Sequence, residues 1–338
     1  LLILQQKLNL DRREKIFVFI DEIQYLAHPS SFLKYLYDHY HHLLKFIVTG
    51  SSSLEIKKKF SDALTGRIFR FEIMPLSYSE FLKFTGQTPT VTSFEEYTLY
   101  GGFPAVCLKP EQEIKIRLLK EIYSLYVRRD LKDLGQIVDL FAFNQLVKVL
   151  AAQTGGLLSE VNLTNVLKIS RPTIRNYLFL LENTFVINLL APFFTNPKKE
   201  VKKMPKLYFN DTGLRNAVLD NFLTLNQRTD TGALAENAVF VECKKNQESG
   251  LHYWRTERKQ EVDLIIEKSG QAIPLEVKYR FFKSALMPSG LKQFIRKYQP
   301  PKAFVLTKDF QTEFQLEKTK VFFMPCFTFA DKLLKLLS

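Results

Sequence analysis

The sequence predicts a multidomain α/β protein, and three observations lead there. Near the N-terminus, short and wholly apolar runs alternate with a helical stretch, the pattern of parallel strands joined by a helix. The chain has 338 residues, enough for two or three domains of ordinary size. The residue pattern then changes along it: a helical middle gives way to a basic helix-and-hairpin stretch, and that to short strands between two helices.

Hydrophobic residues make up 46% and charged residues 25%, which excludes a disordered or collagen-like chain. Lys and Arg (48) outnumber Asp and Glu (35), and the formal net charge of +13 suits an anionic partner, nucleic acid or nucleotide. Cys107, Cys243 and Cys326 lie far apart with no CxxC pair. A disulfide framework and a zinc ribbon are therefore excluded, and a reducing, cytoplasmic setting is expected. No apolar run approaches the roughly 18 residues that a membrane helix needs, so no membrane partner is expected.

Ile16-Phe17-Val18-Phe19-Ile20 is a continuous apolar run ending in Asp21-Glu22, as expected for a central parallel strand buried on both faces. A helix is expected over residues 31–41, with Ser30 or Ser31 as N-cap. Phe46-Ile47-Val48-Thr49-Gly50 reads as a second buried strand, so strand, helix and strand make a right-handed βαβ unit. Residues 93–150 are helical in pattern, punctuated by Gly101-Gly102 and Pro104. Residues 159–168 and 171–181 read as two helices, and residues 185–190 and 206–209 as the strands of a hairpin. That is the layout of a winged helix. From about residue 232 the expected order is α-β-β-β-α-β, with strands near 251–254, 262–266, 273–277 and 303–306.

Two acids at a strand end have a recognised use in a nucleotide-binding sheet. The first sits beside the Mg²⁺ of a bound triphosphate, and the second polarises the attacking water. The motifs FIDEIQ (19–24), VTGSSS (48–53), LTGR (64–67) and PLSYSEF (75–81), in this order, resemble an AAA+ ATPase family of archaea and bacteria. In that family a winged helix and a nuclease-like domain follow the ATPase core, and the resemblance covers roughly residues 16–310. It implies that Asp21 binds Mg²⁺ through water and that Glu22 activates the hydrolytic water. Thr49 or an adjacent serine such as Ser51 would sense the γ-phosphate, and Arg67 would contact phosphate. A surface arginine pairing with Glu72 or Asp62 is the competing reading of Arg67.

None of the 13 glycines is followed by Lys-Ser or Lys-Thr, so the chain contains no GxxxxGK[ST] loop to cradle the β- and γ-phosphates. In the family that P-loop lies upstream of the first strand. Because the chain opens on Leu1-Leu2-Ile3-Leu4 without methionine, a preceding segment that carries the loop is expected. ATP and its Mg²⁺ are expected only with that segment; the alternative is a degenerate form that binds no ATP.

In the second helix expected of the winged helix, Ser170 is a ready N-cap and Pro172 is tolerated in the first turn. Its exposed face would carry Arg171, Thr173, Arg175 and Asn176, while Ile174, Tyr177, Leu178 and Leu181 pack inward. Lys198, Lys199, Lys202 and Lys203 fall between the hairpin strands. Residues 144–215 hold ten Lys/Arg against four Asp/Glu, close to half of the whole excess of positive charge. A recognition helix beside a basic wing suits major-groove insertion of DNA with phosphate contacts alongside. A winged helix used for subunit or protein contact is the alternative.

In the last third, Asp263 is followed 13 positions later by Glu276-Val277-Lys278, and the two-residue spacing puts Glu276 and Lys278 on one face of a strand. Carboxylates that hold Mg²⁺ or Mn²⁺, with a lysine to steady the attacking hydroxide, are what metal-dependent phosphodiester cleavage needs. Glu236 in the preceding helix supplies a further acid. The arrangement resembles the restriction-endonuclease-like, PD-(D/E)XK superfamily. A buried salt-bridge cluster at a sheet end is the competing reading of the same four residues.

The expected organisation is a partial AAA+ core over residues 1–90, a helical lid or linker over 91–143, a winged helix over 144–215 and a nuclease-like domain over 216–338. The expected function is an ATP-hydrolysing protein whose turnover changes how its DNA-facing half engages a target, with homo-oligomerisation left open. Two other readings stand beside it: a Mg²⁺-dependent nuclease with a remnant ATPase core, and a non-enzymatic DNA- or protein-binding adaptor.

Overall fold

The computed structural model describes residues 15–50, 67–126, 137, 139–193, 204–246, 250–268 and 270–329. The chain divides into two compact units, Leu1–Ile73 and Met74–Ser338. Among the described residues, no helix is long and apolar enough to cross a membrane.

In the first unit, strand β1 (Ile16–Ile20) runs parallel to β2 (Leu44–Val48), connected through helix α1 (Pro29–Tyr40). The helix begins two residues before the expected start. Pro29 takes its first position, where a proline's fixed φ suits the helix and its missing N–H is no loss. His28 therefore stands at the N-cap, and neither Ser30 nor Ser31 does. Leu33 of α1 packs with Ile23 against Ile20 and Val48. Side chains alternate along a strand, so Phe17 and Phe19 point to the opposite face and stay 55% and 72% exposed. The expectation of a strand buried on both faces is thus corrected: among the described residues one face of β1 is covered.

The second unit begins with helices α2 (Tyr78–Thr85), α3 (Val91–Tyr100), α4 (Pro104–Cys107), α5 (Gln112–Leu125) and α6 (Leu140–Ala152). The PLSYSEF segment is a helix start: the Ser77 hydroxyl accepts the Glu80 N–H while the Glu80 carboxylate accepts the Ser77 N–H, a capping box. Helices α7 (Glu160–Leu167) and α8 (Arg171–Asn183) follow, then the antiparallel pair β3 (Ile187–Leu190) and β4 (Lys206–Phe209). Ser170 caps α8 through the Thr173 N–H, and Ile174, Tyr177, Leu178 and Leu181 are buried as their spacing requires.

After α9 (Thr212–Leu219), helix α10 (Thr231–Asn246) leads into β5 (Leu251–Arg255), β6 (Glu261–Lys268) and β7 (Gln271–Lys278). Helix α11 (Ser289–Tyr298) and β8 (Lys302–Thr307) come next, then β9 (Thr312–Leu316) and β10 (Thr319–Pro325). The sheet order is β5-β6-β7-β8-β10-β9, so β9 and β10 extend the four expected strands to six. One face packs against α10 through Leu264, Ile266, Leu275, Val277, Phe304 and Leu306. The other packs against α11 through Val262, Ile265, Ala303 and Val305. Trp254 is 3% exposed and edge-on to Phe294, with ring centroids 5.4 Å apart. No face of it is left for stacking on a base.

Candidate functional site

At the N-terminal pair of strands, parallel register sets Ile20 opposite Val48, so the next residues, Asp21 and Thr49, leave the sheet at the same end. The Thr49 hydroxyl donates to Asp21 Oδ1. Backbone bonds fix the two loops against each other, Thr49 N–H to the Ile20 carbonyl at 2.9 Å and Ile23 N–H to the Thr49 carbonyl at 3.1 Å. Glu22 adopts a left-handed conformation (φ 51°), which turns its N–H onto Asp21 Oδ1 at 3.1 Å. A non-glycine residue held there stores strain of about 1–3 kcal/mol, a feature concentrated at functional sites. Asp21 and Thr49 are both exposed. Ser51 lies outside the described residues. Arg67 pairs with Asp38 at 3.0 Å and not with Glu72, while Asp62, the other anticipated partner, lies outside the described residues.

On α8, Arg171 and Arg175 are exposed, as is Asn176, with Thr173 half-buried. Both arginines reach back to one acid of α7: Arg171 Nε lies 2.6 Å and Arg175 Nε 2.9 Å from Glu160 Oε2. Desolvation of Glu160 opposes its charge, yet the two guanidinium groups together more than offset it and hold the carboxyl below its ordinary range. Thr173 Oγ1 bonds the Ser170 hydroxyl at 2.7 Å. Lys198, Lys199, Lys202 and Lys203 lie outside the described residues. Two of the ten cations counted in this stretch are internal, Lys206 at 1% and Arg215 at 1% exposure. Part of the surplus charge is therefore structural, and the described stripe is weaker than the composition promised.

The C-terminal carboxylates gather around an unexpected residue. Glu236 extends from α10, and Glu261 and Asp263 alternate on β6. Three residues of β5 (252 to 254) stand against four of β6 (265 to 262), so β6 carries one extra residue beside Asp263. Such an irregularity re-aims a side chain. Here it brings Asp263 to the α10 side, although Ile265, two positions on, faces α11. The convergence point is the Lys206 ammonium of β4, with Nζ 2.9 Å from Glu236, 2.6 Å from Glu261 and 3.4 Å from Asp263 Oδ1. Burial opposes that charge, but Tyr208, Glu236, Asp263 and Glu261 outweigh it and raise the Lys206 pKa well above its ordinary value.

Glu276 and Lys278 are brought next to Asp263 but not around the same point. By alternation they point away from Leu275 and Val277, which lie under α10. Lys278 Nζ holds Glu276 Oε1 at 2.7 Å and stands 4.0 Å from Asp263. The remaining Asp263 oxygen accepts the Val277 N–H at 2.9 Å. Burial and the neighbouring Asp263 push both Glu236 and Glu276 towards the protonated form. Among the described residues, no group of three or more His, Cys, Asp or Glu side chains is placed to hold a metal ion.

Sequence reasoning missed Lys206, Glu261 and Tyr208 as members of this cluster. Glu261 had a signal, since a residue two before Asp263 shares its face on a regular strand. Lys206 had a fainter one: a lysine opening the apolar run Leu207-Tyr208-Phe209 enters the core with that strand, where all four residues are buried.

The Gly101-Gly102 turn meets the start of α9. The Asp211 carboxylate caps α9 by accepting the Leu214 N–H at 2.7 Å and also accepts the Gly102 N–H at 2.7 Å. Gly101 has φ 71°, and a Cβ there would fall on the Asp211 carboxylate, so only glycine allows the approach. Beneath it, Arg215 pairs with Asp230 at 2.6 Å and donates to the Ala151 carbonyl at 2.7 Å. These residues tie α3, α6 and α9 together and are structural.

Comparison with known proteins divides the chain into three parts. Residues 2–82 match the family of AAA domains, residues 91–225 a domain of unknown function (DUF8612) and residues 231–327 a domain of unknown function (DUF4143). An uncharacterized protein of Mycobacterium tuberculosis is 27% identical over 300 residues, covering 86% of this chain and 66% of its own length. One from Haemophilus influenzae is 27% identical over 286 residues, covering 82% of this chain and 69% of its own length. One from Methanocaldococcus jannaschii is 30% identical over 268 residues, covering 74% of this chain and 58% of its own length. The chain thus spans somewhat under two thirds of the length of the mycobacterial relative that it matches. Its N-terminal segment is AAA-like, and the parts that follow are similar to families whose activity carries no name.

Proposed function

We propose that the protein joins an AAA-like, ATP-hydrolysing module to a DNA-facing body built from its middle and C-terminal segments. The observation that carries the nucleotide reading is the Thr49 hydroxyl on Asp21 at the shared end of two parallel strands. An exposed carboxylate with one hydroxyl and one N–H on a single oxygen keeps lone pairs for the water shell of Mg²⁺, an ion that retains most of its waters. Bound Mg·ATP would supply the phosphoanhydride to be cleaved. Asp21 would hold the hydrated ion, and Glu22 would take a proton from the attacking water. Thr49, already fixed to Asp21, would face the γ-phosphate. Ser51 joins this reading through its place two residues after Thr49, and Arg67 once it exchanges Asp38 for phosphate.

Thermal unfolding of the full-length protein with Mg²⁺ and a non-hydrolysable ATP analogue tests this reading. A saturable rise in Tm, lost in Asp21→Asn, is expected. Glu22→Gln is expected to keep the rise and lose phosphate release. No rise in the native protein overturns the nucleotide reading.

The DNA reading takes α7, α8, β3 and β4 as a winged helix, with Arg171, Thr173, Arg175 and Asn176 facing the major groove and Lys198, Lys199, Lys202 and Lys203 forming its wing. The exposure of the first turns of α8 supports it. Binding would exchange the Glu160 carboxylate for backbone phosphates. Glu160→Gln is therefore expected to tighten binding to a fluorescent DNA duplex several-fold and to steepen its salt dependence. Unchanged affinity would count against α8 as the contact. The order α10-β5-β6-β7-α11-β8 supports a restriction-endonuclease-like body behind it.

A further inference from the structure

We infer that Lys206 is the resident cation of the C-terminal carboxylate cluster, so that this segment works without a divalent metal and does not cleave phosphodiesters by metal catalysis. The expected ligands do not fit a divalent ion. Glu236, Glu261 and Asp263 each direct an oxygen at the Lys206 ammonium, at distances of 2.6–3.4 Å. Their other hydrogen-bonding capacity is largely taken. Arg255 holds the second oxygen of Glu261 at 2.8 Å, and the Val277 N–H holds that of Asp263. Tyr208 donates to the same Glu236 oxygen that Lys206 holds, and Lys278 occupies Glu276. A Mg²⁺ or Mn²⁺ ion needs carboxylate oxygens at about 2.1 Å. Placed among these oxygens, it would lie against an ammonium that cannot leave by itself.

The lysine cannot leave because the backbone on both sides of it is pinned. The Pro205 carbonyl accepts the Leu158 N–H at 2.8 Å, and Leu207 exchanges bonds with Gly155 and Gly156 at 2.8 and 3.0 Å. The Tyr253 hydroxyl holds the Met204 carbonyl at 2.5 Å. Asn237 of α10 grips Phe209 by both its N–H and its carbonyl, at 2.8 and 2.7 Å. The Tyr208 ring stacks on Phe240 with centroids 4.2 Å apart. Strand β4 is therefore part of the same rigid core as the acids, and its ammonium is a fixture of the site. A four-carbon stem reaching in from the separate β3-β4 pair does here what a bound ion does elsewhere: it lets several carboxylates share one buried position.

The test is metal binding by the full-length protein without nucleotide. Native protein is expected to show no Mn²⁺ binding in equilibrium dialysis that depends on Asp263, and no metal-dependent plasmid cleavage. Lys206→Ala is expected to acquire Mn²⁺ binding, seen as a Tm rise of roughly 5 °C on adding the ion. The rise should vanish when Asp263→Asn is added. If Lys206→Ala does not fold, Lys206→Met keeps the apolar stem and serves in its place. Mn²⁺ bound by native protein and lost in Asp263→Asn, but not in Asp21→Asn, overturns the inference. So does a folded Lys206 variant that remains blind to Mn²⁺. Neither outcome depends on ATP, so the nucleotide reading stands or falls separately.

Discussion

Asp21 directly follows strand β1 and Asp263 lies within β6, and the protein treats the two carboxylates in opposite ways. Asp21 is exposed, and a single hydroxyl and its neighbour's N–H meet the same oxygen. Asp263 is 7% exposed, with one oxygen on a buried ammonium and the other on a backbone N–H. A carboxylate that handles a diffusible ion needs accessible lone pairs. A carboxylate that helps hold a fold needs its lone pairs filled, because a buried unpaired charge costs several kcal/mol. The difference separates a site open to a ligand from one already closed by the chain itself.

The contrast breaks most sharply at Lys206. Removing one partner of a buried ionic cluster leaves the others uncompensated, so Lys206→Ala is expected to cost about 3–5 kcal/mol in urea unfolding. A loss below about 1 kcal/mol would show that water already reaches these acids.

Asp211 sharpens the contrast, since it is as buried as Asp263 but has backbone N–H groups in place of a cation. Burial pushes its pKa from 3.8 up to about 6 against the pull of the Gly102, Leu214 and Gly213 N–H groups. A carboxyl raised in the folded state binds its proton more readily there than in the unfolded chain. Its contribution to stability therefore grows as pH falls from above 6 towards 4 and is absent above 6. Urea midpoints measured across that window should show a swing of about 2 kcal/mol in native protein that is missing in Asp211→Asn. Equal swings in the two proteins would assign the proton elsewhere.

The smallest effect is expected at the exposed end of the comparison. Asp21→Asn should leave the unfolding midpoint unchanged without nucleotide while removing the response to it. A marked loss of stability would make Asp21 a structural acid like Asp263.

Much of the second unit was legible because its signals are local. The Ser170 cap, the buried positions of α8 and the alternating strands β6 and β7 follow from spacings of three to four residues or of two. Strands β9 and β10 escaped because Thr312–Leu316 buries no residue fully and its neighbour is added beyond β8, out of chain order. The exposure of Phe17 and Phe19 was not legible either, since an apolar run does not say how many of its faces are covered. Gly101-Gly102 was readable as a turn. Its partner Asp211, 109 residues from Gly102, was not.

The sequence by itself determined which acids stand at strand ends and which strands carry them, because a strand's period and a helix's cap are set by neighbouring residues. It also determined that Asp21 and Thr49 would end adjacent strands. Only the tertiary structure decided what faces each carboxylate. Lys206 lies 30 residues from Glu236 and 57 from Asp263 along the chain, yet its ammonium sits within hydrogen-bonding reach of both. Charge acts through space over a few ångströms, and in a buried site the group that arrives there decides whether a set of carboxylates awaits a metal or already has its cation.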